Sequence, residues 1–279
     1  MILISDSGST KTDWVVCDGG EVVCEAHTAG INPVHQSIED ISHTIENELL
    51  PSLGERELRS IFFYGAGCAY PEATARVTAA LQQFTACDDI EVNSDLLGAA
   101  RALCLHSEGI ACILGTGSNS CLYNGREIID NISPLGYILG DEGSAAVLGR
   151  SLLSDCLKRQ LSPAICHKFM QQYGLDTATV LEKVYREPLA NRFLGSLAPF
   201  LYENRTLPEI HALLMKNFTD FFARNVMSYH HPWLPIHMVG SIAFSFAAEL
   251  REAADSLGLR MGNIMKSPIE GLIRYHQGK

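Results

Sequence analysis

The segment MILISDSGSTKTDWVVCDGGEVVCEA, residues 1–26, contains the clearest indication of the fold. Two apolar runs flank a polar segment that contains Gly8, and Gly19-Gly20 separates the second run from a third segment. Short apolar runs bounded by glycine-containing segments are typical of strands, and a glycine pair between two runs is typical of a tight hairpin. The stretch therefore predicts a three-stranded β-meander in which residues 6–12 form the first hairpin loop.

A second segment repeats this order from residue 109. The apolar run GIACIL is followed by the polar turn GTGSN at 115–119, the run SCLY, the pair Asn124-Gly125 and a return segment at 126–129. Asn-Gly is the strongest short signal for a hairpin between two strands. Two segments with the order strand, glycine turn, strand, tight turn, strand predict an internal structural duplication.

Helices and parallel strands are predicted between and after the two meanders, which gives an α/β fold class. Pro51 is expected to stop the first of these helices. Residues 142–228 have a mostly helical pattern. The other predicted elements are helices over 37–50, 71–84, 96–105, 243–256 and 268–279 and strands over 60–64, 90–92 and 235–239.

Composition and charge limit the classes of function. The chain has 279 residues, 47% hydrophobic and 19% charged, a balance that predicts globular domains without extended disorder. The formal net charge of -11 excludes a general electrostatic attraction to nucleic acid or to an anionic membrane surface. The start has no signal-like pattern and no run reaches about 20 apolar residues, so a cytoplasmic location is expected. The nine cysteines form no CxxC pair and are expected to be reduced, buried thiols.

The hairpin loop of the first meander is a candidate phosphate site. Small residues let the backbone approach a phosphate closely, hydroxyl and N–H groups donate to its oxygens, and Lys11 adds positive charge. Asp6 ends the first strand and can hold a metal ion through water. The loop is not a P-loop, because a strand follows it where that motif needs a helix. An ordinary polar hairpin is the alternative. The candidate residues are Gly8, Ser9, Thr10, Lys11 and Thr12.

The turn Gly115-Thr116-Gly117-Ser118-Asn119 takes the equivalent place in the second meander. Neither turn is specific by itself, and each alone can be a plain hairpin. In a duplicated fold, two such turns are expected to hold a polyphosphate from both sides, with magnesium between them.

Three further segments carry candidate site residues. Asp95 follows a strand and precedes a helix, so it is either the N-cap of that helix or a general base that orients an attacking hydroxyl. Asp141 or Glu142, in a glycine-rich turn, can hydrogen-bond to a sugar or cap the next helix. Gly240 and Ser241 join a strand to a helix and can flank the adenine and ribose of a nucleotide.

These motifs occur in an order that resembles a known family. The motifs are DSGSTKT at 6–12, NSD at 93–95, GTGSN at 115–119, GDEGS at 140–144 and VGS at 239–241. Their order is similar to that of the BadF/BadG/BcrA/BcrD-type ATPases, most of all the N-acetylglucosamine kinases, in the superfamily of actin, the heat-shock ATPases and the sugar kinases. The match covers nearly the whole chain, and GTGSN and GDEGS at their mutual distance are its most specific part.

The resemblance implies two ribonuclease H-like, actin-like ATPase lobes with ATP in the interlobe cleft. The N-terminal lobe would cover residues 1–108 and receive the C-terminal helix at about 268–279, and the C-terminal lobe would cover 109–267. Thr10 and Thr116 fall where the family contacts ATP phosphates. The resemblance places the catalytic base at Asp95 and water-mediated magnesium at Asp6.

Sugar contacts are also implied by the resemblance. They fall at Asn32, Asp95, Ser118, Asn119, Leu135, Gly136 and Asp141. Ser7 stands where a glycine is common, a change between small residues that is expected to be tolerated. Leu135 stands where the mammalian type has a tryptophan.

The function that follows is an ATP- and Mg2+-dependent transfer of the γ-phosphoryl group to a hydroxyl, expected to be O6, of N-acetylglucosamine or a related amino sugar. A kinase for N-acetylmuramic acid or glucosamine, an ATPase that activates a reductive dehydratase, and an inactive sugar sensor are the alternatives. A homodimer is possible, and neither nucleic acid nor a membrane is an expected partner.

Overall fold

In the computed structural model, which describes residues 1–8 and 10–277, the first meander continues into a parallel sheet. The strands of this sheet are β1 (Ile2–Ser7), β2 (Lys11–Asp18), β3 (Glu21–Ala29), β4 (Ser60–Gly65) and β5 (Asp89–Ser94). Their order is β3-β2-β1-β4-β5. The meander strands pair antiparallel, whereas β4 pairs parallel with both β1 and β5.

The second sheet has strands β6 (Glu108–Leu114), β7 (Ser118–Asn124), β8 (Ile128–Asp130), β9 (Ile236–Val239) and β10 (Met261–Met265). Its strand order is β10-β9-β6-β7-β8. Taken in the opposite direction, β8-β7-β6-β9-β10, this order matches that of the first sheet, β3-β2-β1-β4-β5, strand for strand. The predicted duplication is therefore confirmed. Sequence analysis missed β10, because its sequence MGNIM holds a single β-branched residue and the pairing with β9 is irregular between Met261 and Ile264.

The helices surround these sheets. They are α1 (Ile38–Thr44), α2 (Leu50–Leu53), α3 (Pro71–Gln82), α4 (Asp95–Cys104), α5 (Gly136–Leu139), α6 (Ala145–Leu157), α7 (Pro163–Tyr173), α8 (Thr177–Tyr185), α9 (Ala190–Gly195), α10 (Ala198–Glu203), α11 (Pro208–Phe221), α12 (Ser241–Ser245), α13 (Ala247–Ser256) and α14 (Ile269–His276). Two π-helical turns, Ile45–Leu49 and Phe222–Val226, and the 3-10 turn Met227–Tyr229 complete the helical structure. No helix within residues 1–8 and 10–277 is both long and apolar enough to cross a membrane.

The first hairpin is tighter than predicted. Ser7 pairs with Thr12 and Asp6 pairs with Asp13, so β1 extends to Ser7 and β2 already begins at Lys11. The Ser7 and Thr12 hydroxyls are 2.7 Å apart and hydrogen-bond across the ladder, which extends the pairing to the end of β1. The second turn matches the prediction, because the two residues of Gly19-Gly20 have φ angles of 57° and 91°, as a type I′ turn requires.

The hairpin between β7 and β8 is shifted by one residue from the predicted Asn-Gly turn. The Asn124 N–H donates to the Glu127 carbonyl, so the two loop residues are Gly125 and Arg126. Only Gly125 of this pair has a positive φ, 91°, which is typical of a turn with glycine first. The Asn124 side chain instead accepts hydrogen bonds from the Arg126 and Glu127 amides.

Pro51 does not stop the first helix, contrary to the prediction. The backbone takes the π-helical turn Ile45–Leu49 after α1, and α2 restarts at Leu50 with Pro51 in its first turn. A proline there loses no helical hydrogen bond, because the first N–H groups of a helix have no partner within it. The helical segment ends instead at Gly54, which has a φ of 59°.

The chain divides into two compact units. The first contains Met1–Glu108, Tyr123–Ile128 and the segment from Ser267. The second contains Gly109–Leu122 and Ile129–Lys266. The apolar side chains of the second unit form one core, in which the fully buried phenylalanines are Phe169, Phe200, Phe218, Phe221, Phe222 and Phe246.

The sheet of the first unit is buried on both faces. One core contains Leu3 and Phe63 with apolar residues of α1 and α3. The other contains Ile4, Phe62 and Leu272, the last from α14. Because successive side chains of a strand point to opposite faces, neighbours such as Leu3 and Ile4 enter different cores.

A polar network fastens α14 to the rest of the first unit. The Tyr64 hydroxyl lies 2.8 Å from His276 Nε2 and accepts a hydrogen bond of 2.8 Å from Arg101 Nη1. The same Arg101 nitrogen lies 2.6 Å from Glu91 Oε1. The network thereby joins α14 to β4, α4 and β5, at the C-terminal helix that was predicted over 268–279. Residues 278 and 279 lie outside the described residues.

Gly271 sets the distance between α14 and α4, and we expect Gly271→Ala to destabilise the protein. A Cβ at residue 271 would stand 2.3 Å from the Ala102 carbonyl oxygen. Glycine to alanine in a helix normally stabilises by about 1 kcal/mol, but overpacking of this contact costs about 1–3 kcal/mol. The melting temperature of Gly271→Ala should therefore fall, as measured by circular dichroism. The exposed Arg274→Ala on the same helix is the control, and an unchanged or higher melting temperature for Gly271→Ala would contradict the expectation.

Candidate functional site

The candidate residues of the first unit meet at the carboxyl ends of its parallel strands. Asp6 on β1 pairs with Tyr64 on β4, which pairs with Asn93 on β5. Asp95 is the first residue of α4, directly after β5. Asp95 lies close enough to Asp6 for its charge to raise the pKa of Asp6. The structure therefore brings together the two carboxylates that the sequence placed 89 positions apart (95 minus 6).

Asp95 is not the N-cap of α4, so that alternative is wrong. Ser94 is the N-cap, and its Oγ accepts a 3.2 Å hydrogen bond from the Leu97 amide. The Asp95 Oδ1 atom accepts from the Leu96 amide at 2.8 Å, which fixes the carboxylate at the start of the helix. Burial raises the pKa of Asp95. A carboxylate with a raised pKa, held in one orientation, has the properties of a general base.

Asp6 is the second carboxylate of this edge. Its pKa is raised to about 7, mainly by burial and then by the charges of Asp95 and Asp13, while Lys11 acts in the opposite direction. Within residues 1–8 and 10–277, no group of three or more His, Cys, Asp and Glu side chains is placed to hold a metal ion. Mg2+ commonly keeps several waters and binds one or two carboxylates together with substrate phosphates. The Asp6 carboxylate fits that kind of site.

The predicted phosphate contacts of the hairpin loop differ in how well the structure supports them. Thr10 is exposed and its carbonyl accepts from the Gly30 amide at 3.1 Å, while Gly8 N–H donates to the Lys11 carbonyl at 3.0 Å. The Lys11 ammonium is exposed and lies 2.9 Å from Asp13. Thr12 is buried and its hydroxyl bonds to Ser7 and to the Ala29 carbonyl, so the structure gives no support to a phosphate contact by that hydroxyl. Ser9 lies outside the described residues.

Ser7 is a structural residue that sequence analysis undervalued. Its buried hydroxyl donates to the Ile31 carbonyl at 3.0 Å and accepts from the Ile31 amide at 3.0 Å. With its bond to Thr12, this hydroxyl joins β1 and β2 to the segment that precedes Asn32. A glycine could make none of these bonds. The signal in the sequence was a hydroxyl at the end of a strand whose first three residues are apolar.

Asn32 is held in a turn beside the loop that follows β4. Its Oδ1 accepts from the Val34 amide at 3.0 Å, and its own amide donates to Gln36 Oε1 at 2.6 Å. Gly67 packs so closely that a Cβ there would stand 2.3 Å from Asn32 Oδ1. Within the described part of the chain, Asn32 Nδ2 donates no hydrogen bond and so remains available to a ligand.

The glycine turn of the second unit is fastened to the start of α6. The Gly115 and Thr116 carbonyls accept from the Ala145 and Ala146 amides at 2.9 and 3.1 Å. The N-cap Ser144 accepts from the Val147 amide at 3.2 Å, so the first three amides of α6 are all bonded within the protein. Among the described residues, the Thr116 and Gly117 amides donate no hydrogen bond. An anion at this turn would therefore bind the turn amides rather than the helix terminus.

Asp141 and Glu142 are adjacent in the sequence but have different surroundings. Ser144 caps α6, so the helix-cap alternative is wrong for both acids. Glu142 is buried and ion-paired with Arg224 at 2.7 Å, a structural role. Asp141 has a positive φ of 52°, and its Oδ1 lies 3.4 Å from the Ser118 amide. Burial raises the pKa of Asp141.

Leu135 and Gly136 lie in the same closed loop as Asp141. The Asp141 amide donates to the Pro134 carbonyl at 2.9 Å, which joins the two ends of this loop. The Leu135 side chain is 60% exposed. Asn119, the other predicted sugar contact of the glycine turn, accepts a 3.0 Å hydrogen bond at its Oδ1 from Asn131 Nδ2. Asn131 was not found from the sequence, because it belongs to no motif.

Gly240 and Ser241 lie beside the glycine turn. Gly240 has a φ of 121°, and a Cβ there would stand 2.3 Å from the Leu114 carbonyl oxygen, directly before Gly115. Ser241 is exposed at the start of α12. The second unit thus collects Gly115–Ser118, Asp141 and Gly240–Ser241 around the carboxyl ends of β6 and β9. The adenine and ribose contacts of this segment stay a prediction.

Solved structures share this architecture. A Porphyromonas gingivalis protein described as a candidate N-acetylglucosamine kinase is 48% identical, with 100% of this chain and 99% of that chain covered and a TM-score of 0.96. The chain belongs to the family of that protein. A candidate N-acetylglucosamine kinase of Chromobacterium violaceum has the same fold at 18% identity, covering 98% of each chain, with a TM-score of 0.77. A ROK family glucokinase of Streptomyces griseus, in complex with glucose and AMPPNP, shows the fold at 11% identity, 98% and 97% coverage and a TM-score of 0.57.

No protein-family model and no curated protein matches the chain. The BadF/BadG/BcrA/BcrD label therefore stays a prediction. The predicted fold class is confirmed, because the two mixed sheets and their helices match the two-lobed α/β fold of sugar kinases and actin-like ATPases. Within this family, the carboxylate edge of the first unit and the glycine turn of the second are the candidate sites.

We expect Asp6→Asn to flatten the pH dependence of stability. The pKa of Asp6 is about 7 in the folded protein and near 4 in an unfolded chain, so the folded state binds more protons between these values. The free energy of unfolding must then fall as pH rises from about 4 to 7. Asp6→Asn removes this contribution. Its free energy of unfolding at pH 8, measured by denaturant unfolding without Mg2+, should be at least about 1 kcal/mol larger than that of the wild type.

Asp18→Asn, an exposed change on the neighbouring strand, is the control. Asp95 and Asp141, whose pKa values are also raised, keep their own pH dependence in both variants. Equal slopes for wild type and Asp6→Asn would contradict the assignment.

Proposed function

We propose that this chain is a kinase that transfers the γ-phosphoryl group of ATP to a hydroxyl of N-acetylglucosamine or a related amino sugar. The observation that carries the proposal is the placement of Asp95 beside Asp6 at the carboxyl edge of a parallel sheet. The 48% identity to a candidate N-acetylglucosamine kinase over the whole chain supports the substrate class.

Asp95 acts as the general base in the proposed reaction. The Leu96 amide orients its carboxylate, and burial raises its pKa toward the range in which proton acceptance is efficient. It orients the attacking hydroxyl, for which we propose O6, and takes its proton as the phosphoryl group arrives. Ser94, the N-cap residue that precedes Asp95, fixes the start of α4 during the transfer.

Asp6 would hold Mg2+ through water in the proposed site. When bound, Mg2+ neutralises the charge that builds up on the transferred phosphoryl group. The first hairpin, through Gly8 and Thr10, and the second turn, through the Thr116 and Gly117 amides, would hold the phosphates of ATP. The support for the second turn is that the Thr116 and Gly117 amides donate no hydrogen bond within the described part of the chain.

Asn32 and Asp141 are proposed to bind the sugar. Each is fixed by backbone contacts, Asn32 through Val34 and Asp141 through Ser118, and each keeps polar atoms for a ligand. An amide donor and a carboxylate acceptor together suit vicinal sugar hydroxyls, which both donate and accept. Gly240 and Ser241 are proposed to lie next to the nucleoside.

The first test is sugar-dependent release of ADP in the presence of Mg2+. We expect N-acetylglucosamine to give a kcat/KM at least about tenfold above those of N-acetylmuramic acid and glucosamine, because a fitted pocket separates such neighbours by about 1–3 kcal/mol. Phosphorus and proton NMR of the product should place the phosphate on C6. ADP release that does not depend on sugar would favour the ATPase alternative. Sugar binding without ADP release would favour the inactive sugar sensor.

The second test is Asp95→Asn. Loss of a general base is expected to lower kcat by about 10²- to 10⁴-fold, whereas calorimetric affinities for sugar and ATP should stay within about threefold. Asp89→Asn, an exposed change at the other end of β5, is the matched control and should keep normal turnover. Near-normal turnover of Asp95→Asn would remove this residue as the base.

A further inference from the structure

Cys156 and Cys166 form a thiol pair in the second unit, on elements that adjoin along the chain. Cys156 is buried near the end of α6, and Cys166 is partly exposed near the start of α7. The two thiols lie close enough for Cys166 to add to the raised pKa of Cys156, of which burial is the main cause. The Cys166 sulfur also lies 3.7 Å from the Cys156 carbonyl oxygen and 3.6 Å from that of Leu161.

Both ends of the connection between these cysteines are anchored. The Ser162 amide donates to Glu209 of α11 at 2.6 Å, and the Cys166 amide donates to the Ser162 carbonyl at 3.1 Å. At the other end, the Lys158 amide donates to the Ser154 carbonyl at 2.9 Å. The two thiols are therefore held near one another by the backbone around them, which favours a bond between them once one sulfur is oxidised.

We propose that Cys156 and Cys166 are a reversible oxidation site, in which Cys166 reacts with a hydroperoxide and Cys156 resolves the product to a disulfide. The partly exposed Cys166 is accessible to a small oxidant. The buried Cys156 has a raised pKa, because burial disfavours its thiolate, so it is the poorer first nucleophile. The two positions thus suit different steps.

The chemistry balances with hydrogen peroxide as the oxidant. The Cys166 thiolate attacks one peroxide oxygen, the O–O bond breaks, hydroxide leaves and Cys166 becomes a sulfenic acid. The Cys156 sulfur then attacks the Cys166 sulfur, the S–S bond forms and the S–O bond breaks. The departing hydroxide takes the Cys156 proton as water. In total, two thiols are oxidised, one peroxide is reduced and two waters form.

The disulfide would close a short ring at the end of α6 opposite its N-cap. Residue 144 precedes residue 156 by twelve positions, or about 18 Å along the helix axis. The bond would constrain the α6–α7 connection and protect Cys166 from further oxidation to a sulfinic acid. Its formation does not depend on the proposed kinase activity.

The test is peptide mapping of the full-length wild type after treatment with hydrogen peroxide. We expect a cross-linked peptide that contains Cys156 and Cys166, lighter by two hydrogens than its two parts, which dithiothreitol reverses. The oxidised protein should melt about 5 °C higher than the reduced one, because a short ring constrains the unfolded chain. Free Cys156 together with irreversibly oxidised Cys166 would overturn the proposal.

Variants separate the two roles. Cys156→Ala should let Cys166 accumulate as a sulfenic acid that dimedone traps, whereas Cys166→Ser should leave Cys156 as a thiol under the same treatment. Cys24→Ser, at another partly exposed thiol, is the control and should keep the cross-link. A trapped sulfenic acid at Cys156 in Cys166→Ser would contradict the assigned order. If Cys156→Ala fails to fold, the wild-type map alone decides.

Discussion

The parallel register of β1, β4 and β5 is the constraint on which the candidate chemistry depends. It places Asp6, Tyr64 and Asn93 in one row, so that Asp95 begins its helix close to Asp6. A slip of one residue in either pairing would turn every side chain of that strand to the other face and bury the wrong set. The two apolar cores on the faces of this sheet therefore fix the site as well as the fold.

Placing two carboxylates in a poorly solvated position opposes folding, and the surrounding contacts have to offset that cost. Burial raises both pKa values, and the mutual charge adds to the effect at Asp6. Ser7, next to Asp6, makes three hydrogen bonds that hold the strand end in place. Ser94, next to Asp95, caps the helix. Each acid thus has a small hydroxyl residue before or after it that stabilises its backbone.

Local patterns predicted most of the fold because its determinants are local. Short segments of sequence determine the Gly19-Gly20 turn and the repeated meander. Pro51 was misjudged because a π-helical turn, which leaves no sequence signature, restarts the helix just before it. At the site, Asp95 was a clear candidate from the sequence, but only the backbone angles of Ser94 show that Ser94, and not Asp95, is the N-cap. The role of Ser7 could not be predicted because its hydroxyl bonds to Ile31, which is distant in sequence.

The first unit draws on segments that precede and follow the second unit in the sequence, since α14 covers a face of the sheet that contains β1. During synthesis on the ribosome, the strands and helices of residues 1–108 emerge before the second unit, whereas Leu272 emerges only after it. Until then the apolar surface around Ile4 and Phe62 lacks this part of its cover. The nascent polypeptide must keep that surface from associating with other chains while the whole second unit is translated, because this core closes only after Leu272 has emerged.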